Sequence, residues 1–292
     1  MNNGKDFDLK RTRRVSVLVA VTAIFGGMLG GSTAVFAQAN PPSTPSQDAG
    51  SGAKKAEQAP AAPSAASIEK GKALVLAAAK AAGGDALKAI HNMQVDTTGQ
   101  AFAQGQTVDV QLELTIEYPN HLHTQVQSSQ GNLQQAFDGT NGWIVTDQGV
   151  IDLPEEYVPE FKRGIALAGA WGMYRDAMDG KIDAHSVDEE QVDGHKVEIV
   201  EWASTSGPVK LYFDAGSHLL TGAHFEAVTP AGPVQADQRW SDFKTVSGCQ
   251  YPYHNTVFHN GQKFTETDVK SIKTNITIDP AYFSKPQTPP AK

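Results

Sequence analysis

One cysteine in 292 residues, Cys249, leaves no partner for an internal disulfide, so the apolar core must hold the fold together. A lone thiol of this kind behaves as a small hydrophobe, and a buried, unreactive position is expected for it. Positive charge is scarce as well. Lys and Arg number 24 against 32 Asp and Glu, a formal net charge of −8, and such a surface repels phosphate backbones and anionic headgroups. Nucleic acid is therefore not an expected partner. The signatures of nucleophilic, phosphate and zinc chemistry are missing too: there is no G-x-S-x-G, no H-E-x-x-H or H-x-x-E-H, and "GSGAKK" lacks the spacing of a phosphate loop.

Nine histidines are present, yet a zinc site needs three or four ligands in fixed array. His121 and His123 sit at i and i+2, with His254 and His259 later; hydrogen bonding at a sheet surface is the expectation for them. "FDGTNGW", with Asp138, Gly139, Asn141 and Gly142, reads as a turn with too few oxygen ligands for calcium. Asp188, Glu189 and Glu190 read as a solvated loop. No catalytic constellation assembles, so neither an enzyme nor a metal or cofactor is expected.

The one long apolar run, Val15 to Leu29, follows Lys10, Arg11, Arg13 and Arg14 and precedes "STAVFAQA". That is the anatomy of a secretory signal peptide over residues 1–37, cut after Ala37 or Ala39, and it predicts a periplasmic or otherwise exported protein, soluble after cleavage. Residues 1–37 hold five basic and two acidic side chains, which leaves 19 against 30, a net of −11, on the mature chain. Residues 38–67, "QANPPSTPSQDAGSGAKKAEQAPAAPSAAS", hold almost no large apolar side chains and cannot offset their ordering entropy. They read as a disordered linker. The tail at 284–292, "SKPQTPPAK", reads the same way. One domain is expected between them, residues 68–283.

Within it, helix comes first. "IEKGKALVLAAAKAAGG" ends on Gly83 and Gly84, and Asp85 is the expected N-cap of a second short helix. Strands follow. In "TVDVQLELTIEYP" every second residue from Val108 to Tyr118 is apolar, the period of a strand with one buried face. Six such side chains amount to about 10 kcal/mol or more of burial. Something must cover them. Ten or eleven antiparallel strands are expected in a meander, with "HNGQ" as an Asn-Gly hairpin turn. Pro154 to Gly180 has apolar residues at near-helical intervals but is interrupted by Gly164, Gly169 and Gly172, which predicts a broken helix. The fold class is α+β and mainly β: one large curved antiparallel sheet, an unclosed half-barrel, with helices covering its concave face.

Four stretches, "AAGGDALKAIHNM", "AFDGTNGWIVTDQG", "WASTSGPVKLYFDAGSHLLTG" and "IDPAYFSKP", resemble in order those of the LolA and LolB type of periplasmic lipoprotein-sorting proteins. The resemblance spans most of residues 68 to 286. It implies a half-open barrel with a helical lid and an apolar hollow for the acyl chains of lipids or lipoproteins. It further implies a monomeric, non-enzymatic carrier or sensor, with an envelope protein as a further partner. On that reading the groove residues are Val108, Val110, Leu112, Leu114 and Ile116 on the opening strand and Trp171 and Met173 on the glycine-weakened helix. The chain departs from the pattern in its long tether and in its lid arginine, for which Arg163 and Arg175 are the candidates. Two other roles fit the same residues: a structural or interaction module whose helices cover the sheet fully, and an accessory domain of a hydrolase system.

Overall fold

A computed structural model describes residues 62–286, apart from 104, 147–148, 169–170, 193 and 230–231. The expected signal peptide, residues 38–61 of the linker and residues 287–292 of the tail lie outside the described residues.

The chain opens with helix α1 (Ala65–Ala81), whose N-cap Ser64 accepts a hydrogen bond from the Ser67 amide. Its buried face is made of small residues, Gly71, Val75, Ala78 and Ala79. Gly83 and Gly84, both at positive φ, end it as glycine allows, and α2 (Asp85–Lys88) follows. Gly84 takes the N-cap position and Asp85 is the first helical residue, so the helix starts one residue earlier than expected.

Six strands come next: β1 (Asn92–Ala103), β2 (Gln106–Glu117), β3 (His121–Ser128), β4 (Gly131–Phe137), β5 (Gly142–Thr146) and β6 (Gly149–Asp152). The middle segment is a broken helix as its glycines suggest: a 3-10 turn at Glu155–Tyr157, α3 (Val158–Leu167) and α4 (Trp171–Met178). Seven more strands complete the chain: β7 (Ala184–Val192), β8 (His195–Ser204), β9 (Gly207–Asp214), β10 (Leu220–Thr229), β11 (Gly232–Val246), β12 (Cys249–His259) and β13 (Gln262–Thr274). The β12–β13 turn is the expected Asn-Gly hairpin, with φ near +50° at Asn260 and +76° at Gly261.

All thirteen strands form one antiparallel sheet in the order β6-β5-β4-β3-β2-β1-β13-β12-β11-β10-β9-β8-β7. The two ends of the strand series thus meet in the centre, and the edges, β6 and β7, are not bonded to each other. The two strands beyond the expected eleven are these edges. β6 has four residues, too few to show a period. In β7 the register shifts between Ser186 and Glu189, so the alternation that marks a strand is broken. The acidic run is therefore edge strand, not loop, and Glu189 sits between Lys70 and Lys196. Charge and a bulge are common protections for an exposed edge.

The inner face must curve. α3 touches β4 through Phe161, whose ring stacks on Phe137 at 4.9 Å. Two residues later it touches β10, where Arg163 donates to the Glu226 carbonyl. Seven inter-strand steps separate β4 from β10, about 34 Å across a flat sheet, whereas a ten-residue helix is about 15 Å long. One short helix reaches both only if the sheet wraps round it. The core lies inside this curl, with α1 on β7, β8 and α4, and α3 against α4 and β3.

Candidate functional site

α3 lies across the hollow and is fastened at both sides. On the β4 side Phe161 fits because Gly142 of β5 has no side chain; a Cβ there would meet the Phe161 ring at 2.5 Å. On the other side Arg163, 1% exposed, lies over the Phe225 ring at 4.1 Å. It donates to the carbonyl oxygens of Glu226 at 3.0 Å and Ser206 at 3.3 Å, and it pairs with Glu160 one turn earlier in α3. Glu160 in turn accepts from the Ser206 hydroxyl, and the Thr205 hydroxyl donates to the Pro159 carbonyl. The β8–β9 turn therefore holds the first turn of α3.

Burial dominates the titration of the ion pair. It pushes the Glu160 carboxyl up and the Arg163 guanidinium down, against the pull of each on the other. Such a pair adds little net stability over an apolar one, but loss of one member strands the other without water.

Beneath the helix is a cleft of about 80 Å³. The lid contributes Arg163, Gly164, Leu167 and Ala168; the sheet contributes Met93, Val95, Leu114, Val269, Phe225, Trp240, Tyr251 and Pro252, with Thr97, Gln238, Asn255 and Thr267. A cavity that holds one benzene measures roughly 150 Å³, so the cleft as it stands is smaller than an acyl chain requires.

The residues singled out from the sequence fall in different places. Val108, Val110, Leu112, Leu114 and Ile116 are all buried, on the inner face as their period requires, but only Leu114 reaches the cleft. Met173 is fully buried on α4 and does not line it. Trp171 opens α4, and its side chain lies outside the described residues. Of the two candidate lid arginines, Arg163 lines the cleft. Arg175 instead holds α4 to α2, donating to the carbonyls of Leu87, at 2.8 Å, and Ile90, with its guanidinium over Tyr118.

Sequence reasoning gave no prominence to Asn255, Gln238 or Thr267, which are polar side chains on the inner face of the last strands. Their signal was available: polar residues at the inward phase of a strand pattern.

His121 and His123 are on the outer face, where His121 stacks on Phe283 (5.2 Å) and His123 meets Tyr282 in a tilted pair (4.5 Å), both in the 3-10 turn Pro280–Phe283. Tyr282 also donates to Glu113 at 2.8 Å. These contacts hold the 3-10 turn against the outer face of the sheet. Among the described residues no group of three or more His, Cys, Asp or Glu side chains could hold a metal ion. Cys249 is buried and free, and burial pushes its thiol up.

An unclosed antiparallel half-barrel, a helical lid across its hollow and an apolar cleft between the two define a class of lidded β half-barrels. The fold is LolA-like. It matches the LolA superfamily protein of Nitrosomonas europaea at 14% identity and a TM-score of 0.53, over 74% of this chain and 97% of that one. A putative outer membrane lipoprotein-sorting protein domain from Vibrio parahaemolyticus matches at 12% identity and 0.50, with the same coverage. A DUF1329 family protein from Desulfovibrio piger matches at 11% and 0.52, over 75% and 97%. At these identities the likeness is one of fold. No family profile and no curated protein matches the sequence. Among the described residues, no helix is long and apolar enough to cross a membrane.

Proposed function

We propose that this chain is an exported, non-enzymatic binding protein for lipid or acylated ligands, which carries or reports them in the cleft beneath α3. The observation that carries the reading is the cleft itself, an apolar space on the inner face of the sheet that is closed by one helix held through Arg163. The LolA-like fold and the name of the Vibrio parahaemolyticus domain, a lipoprotein-sorting one, support it.

Displacing α3 gives up the two hydrogen bonds of Arg163 to main-chain carbonyls, that of the Ser206 hydroxyl to the Glu160 carboxylate and that of the Thr205 hydroxyl to the Pro159 carbonyl, about 5–10 kcal/mol together. Each buried methylene returns about 0.8 kcal/mol, so roughly six to twelve methylenes offset the opening, and only longer chains gain affinity. Purifying the exported protein from cells without detergent, extracting it with organic solvent and examining the extract by mass spectrometry tests this. The expected result is stoichiometric lipid whose chain has about twelve or more carbons; an extract without lipid speaks against the reading.

A second reading has its own support. Val110, Leu112 and Ile116 are already buried by the protein's own packing, as in an interaction module with a self-covered sheet. A lipid-free extract, together with a lid that takes up no acyl probe, favours it.

A further inference from the structure

The floor of the cleft is not uniformly apolar. Across four neighbouring strands the directly paired residues are Trp240 of β11, Asn255 of β12, Thr267 of β13 and Gly99 of β1. Thr267 is buried, and its hydroxyl donates a long hydrogen bond to the main-chain carbonyl of Asn255, at 3.5 Å. Gly99 has no side chain because a Cβ there would come 2.6 Å from the Thr267 Cα. The Oδ1 of Asn255 is shielded from solvent and finds no hydrogen-bond partner among the described residues, and the same is true of the Arg163 Nε across the cleft. Arg163 is 1% exposed and lines the same space. A hydrogen-bonding group left unmade in such a place is destabilising, and a bare hydrocarbon chain would leave both groups orphaned.

We propose that the cleft is built for an amphiphile in which a hydrocarbon chain ends in a secondary amide, with the amide seated against Asn255 and Thr267. The proposal rests on the lipid-binding reading and names the ligand class of that site. The Asn255 oxygen needs a donor and the Arg163 Nε–H needs an acceptor, which a secondary amide supplies from adjacent atoms without carrying charge. An ester supplies acceptors alone and leaves Asn255 Oδ1 unpaired. A carboxylate also supplies acceptors alone and leaves Asn255 Oδ1 unpaired, and its charge must be desolvated close to the Glu160 carboxylate that already pairs with Arg163. Because a side-chain amide has one donor end and one acceptor end, a head group offering both matches Asn255 in either orientation.

The test uses the purified full-length mature protein loaded with dansylundecanoic acid, displaced in turn by N-methyldodecanamide, methyl dodecanoate and dodecanoate. Wild type is expected to bind the amide about tenfold more tightly than the ester. Asn255→Leu is expected to remove that preference, so that amide and ester displace the probe equally well. Thr267→Val, nearly isosteric and so safer for folding, is expected to reduce the preference in the same direction. Equal displacement by amide and ester in wild type, or an unaltered preference in both variants, overturns the amide assignment while acyl binding stands. If neither the dansyl probe nor any competitor binds, the lipid-binding reading falls and the amide assignment falls with it.

Discussion

A guanidinium removed from water keeps its charge only while acceptors surround it, and Arg163 has a carboxylate and two backbone carbonyls in that role. Replacing it leaves the Glu160 carboxylate buried beside nothing positive. Arg163→Met is therefore expected to cost roughly 3–5 kcal/mol of folding stability, read as the midpoint shift in chemical denaturation. The double variant Glu160→Gln, Arg163→Met removes both charges and is expected to recover much of that loss. A single variant within about 1 kcal/mol of wild type would show that the pair is effectively solvated and that the lid is not held this way. This residue also marks a boundary of sequence reading. Arg163 stood out in the sequence only as a candidate, because its acceptors are main-chain oxygens 43 and 63 residues further along. Any residue type can supply a carbonyl, so nothing in the sequence at 206 or 226 announces the contact. Asn255 and Thr267 went unremarked in the sequence, although Asn255 shares the inward phase of Tyr251 and Val257 in β12.

Helix α1 illustrates how an element is placed by what it omits. Glycine inside a helix costs about 1 kcal/mol relative to alanine, yet Gly71 sits in the middle of α1, because a Cβ there would lie 2.5 Å from the backbone of His185 in β7. Backbone cannot swing aside as a side chain can. Gly71→Ala is expected to destabilise the protein by about 1–3 kcal/mol despite its better helix propensity, as measured by thermal or chemical unfolding; a stabilised variant would mean that α1 does not dock on β7. Elements with a clean period were legible beforehand: β2 from its alternation, the β12–β13 turn from Asn260 and Gly261, and the break between α3 and α4 from its glycines. The two edges were not. A four-residue β6 has no room for a pattern, and the bulge in β7 shifts its acidic residues out of phase. Edge strands have fewer neighbours to satisfy and so carry less of the fold's pattern in their sequence.

At the scale of the molecule, the sheet supplies far more apolar inner face than any one helix covers, and the structure divides that face. Around β2 it is sealed by the protein's own packing. Between α3 and the central strands a cleft of about 80 Å³ persists. The total apolar area was readable from strand periods alone, whereas the division was not, because it depends on where α3 comes to rest across a curl that brings β4 and β10 together. Here α3 covers the cleft and is fastened by a small number of polar contacts, which on the proposed reading a long chain's burial outweighs. The most direct test of a ligand site beneath α3 is photo-crosslinking: the mature protein is irradiated with a diazirine-bearing long-chain fatty amide, and the labelled peptides are mapped. Label on Leu114, Leu167, Trp240 or Val269 is the predicted outcome, and label confined to the outer face around Tyr282 or to the edge strands β6 and β7 would contradict it.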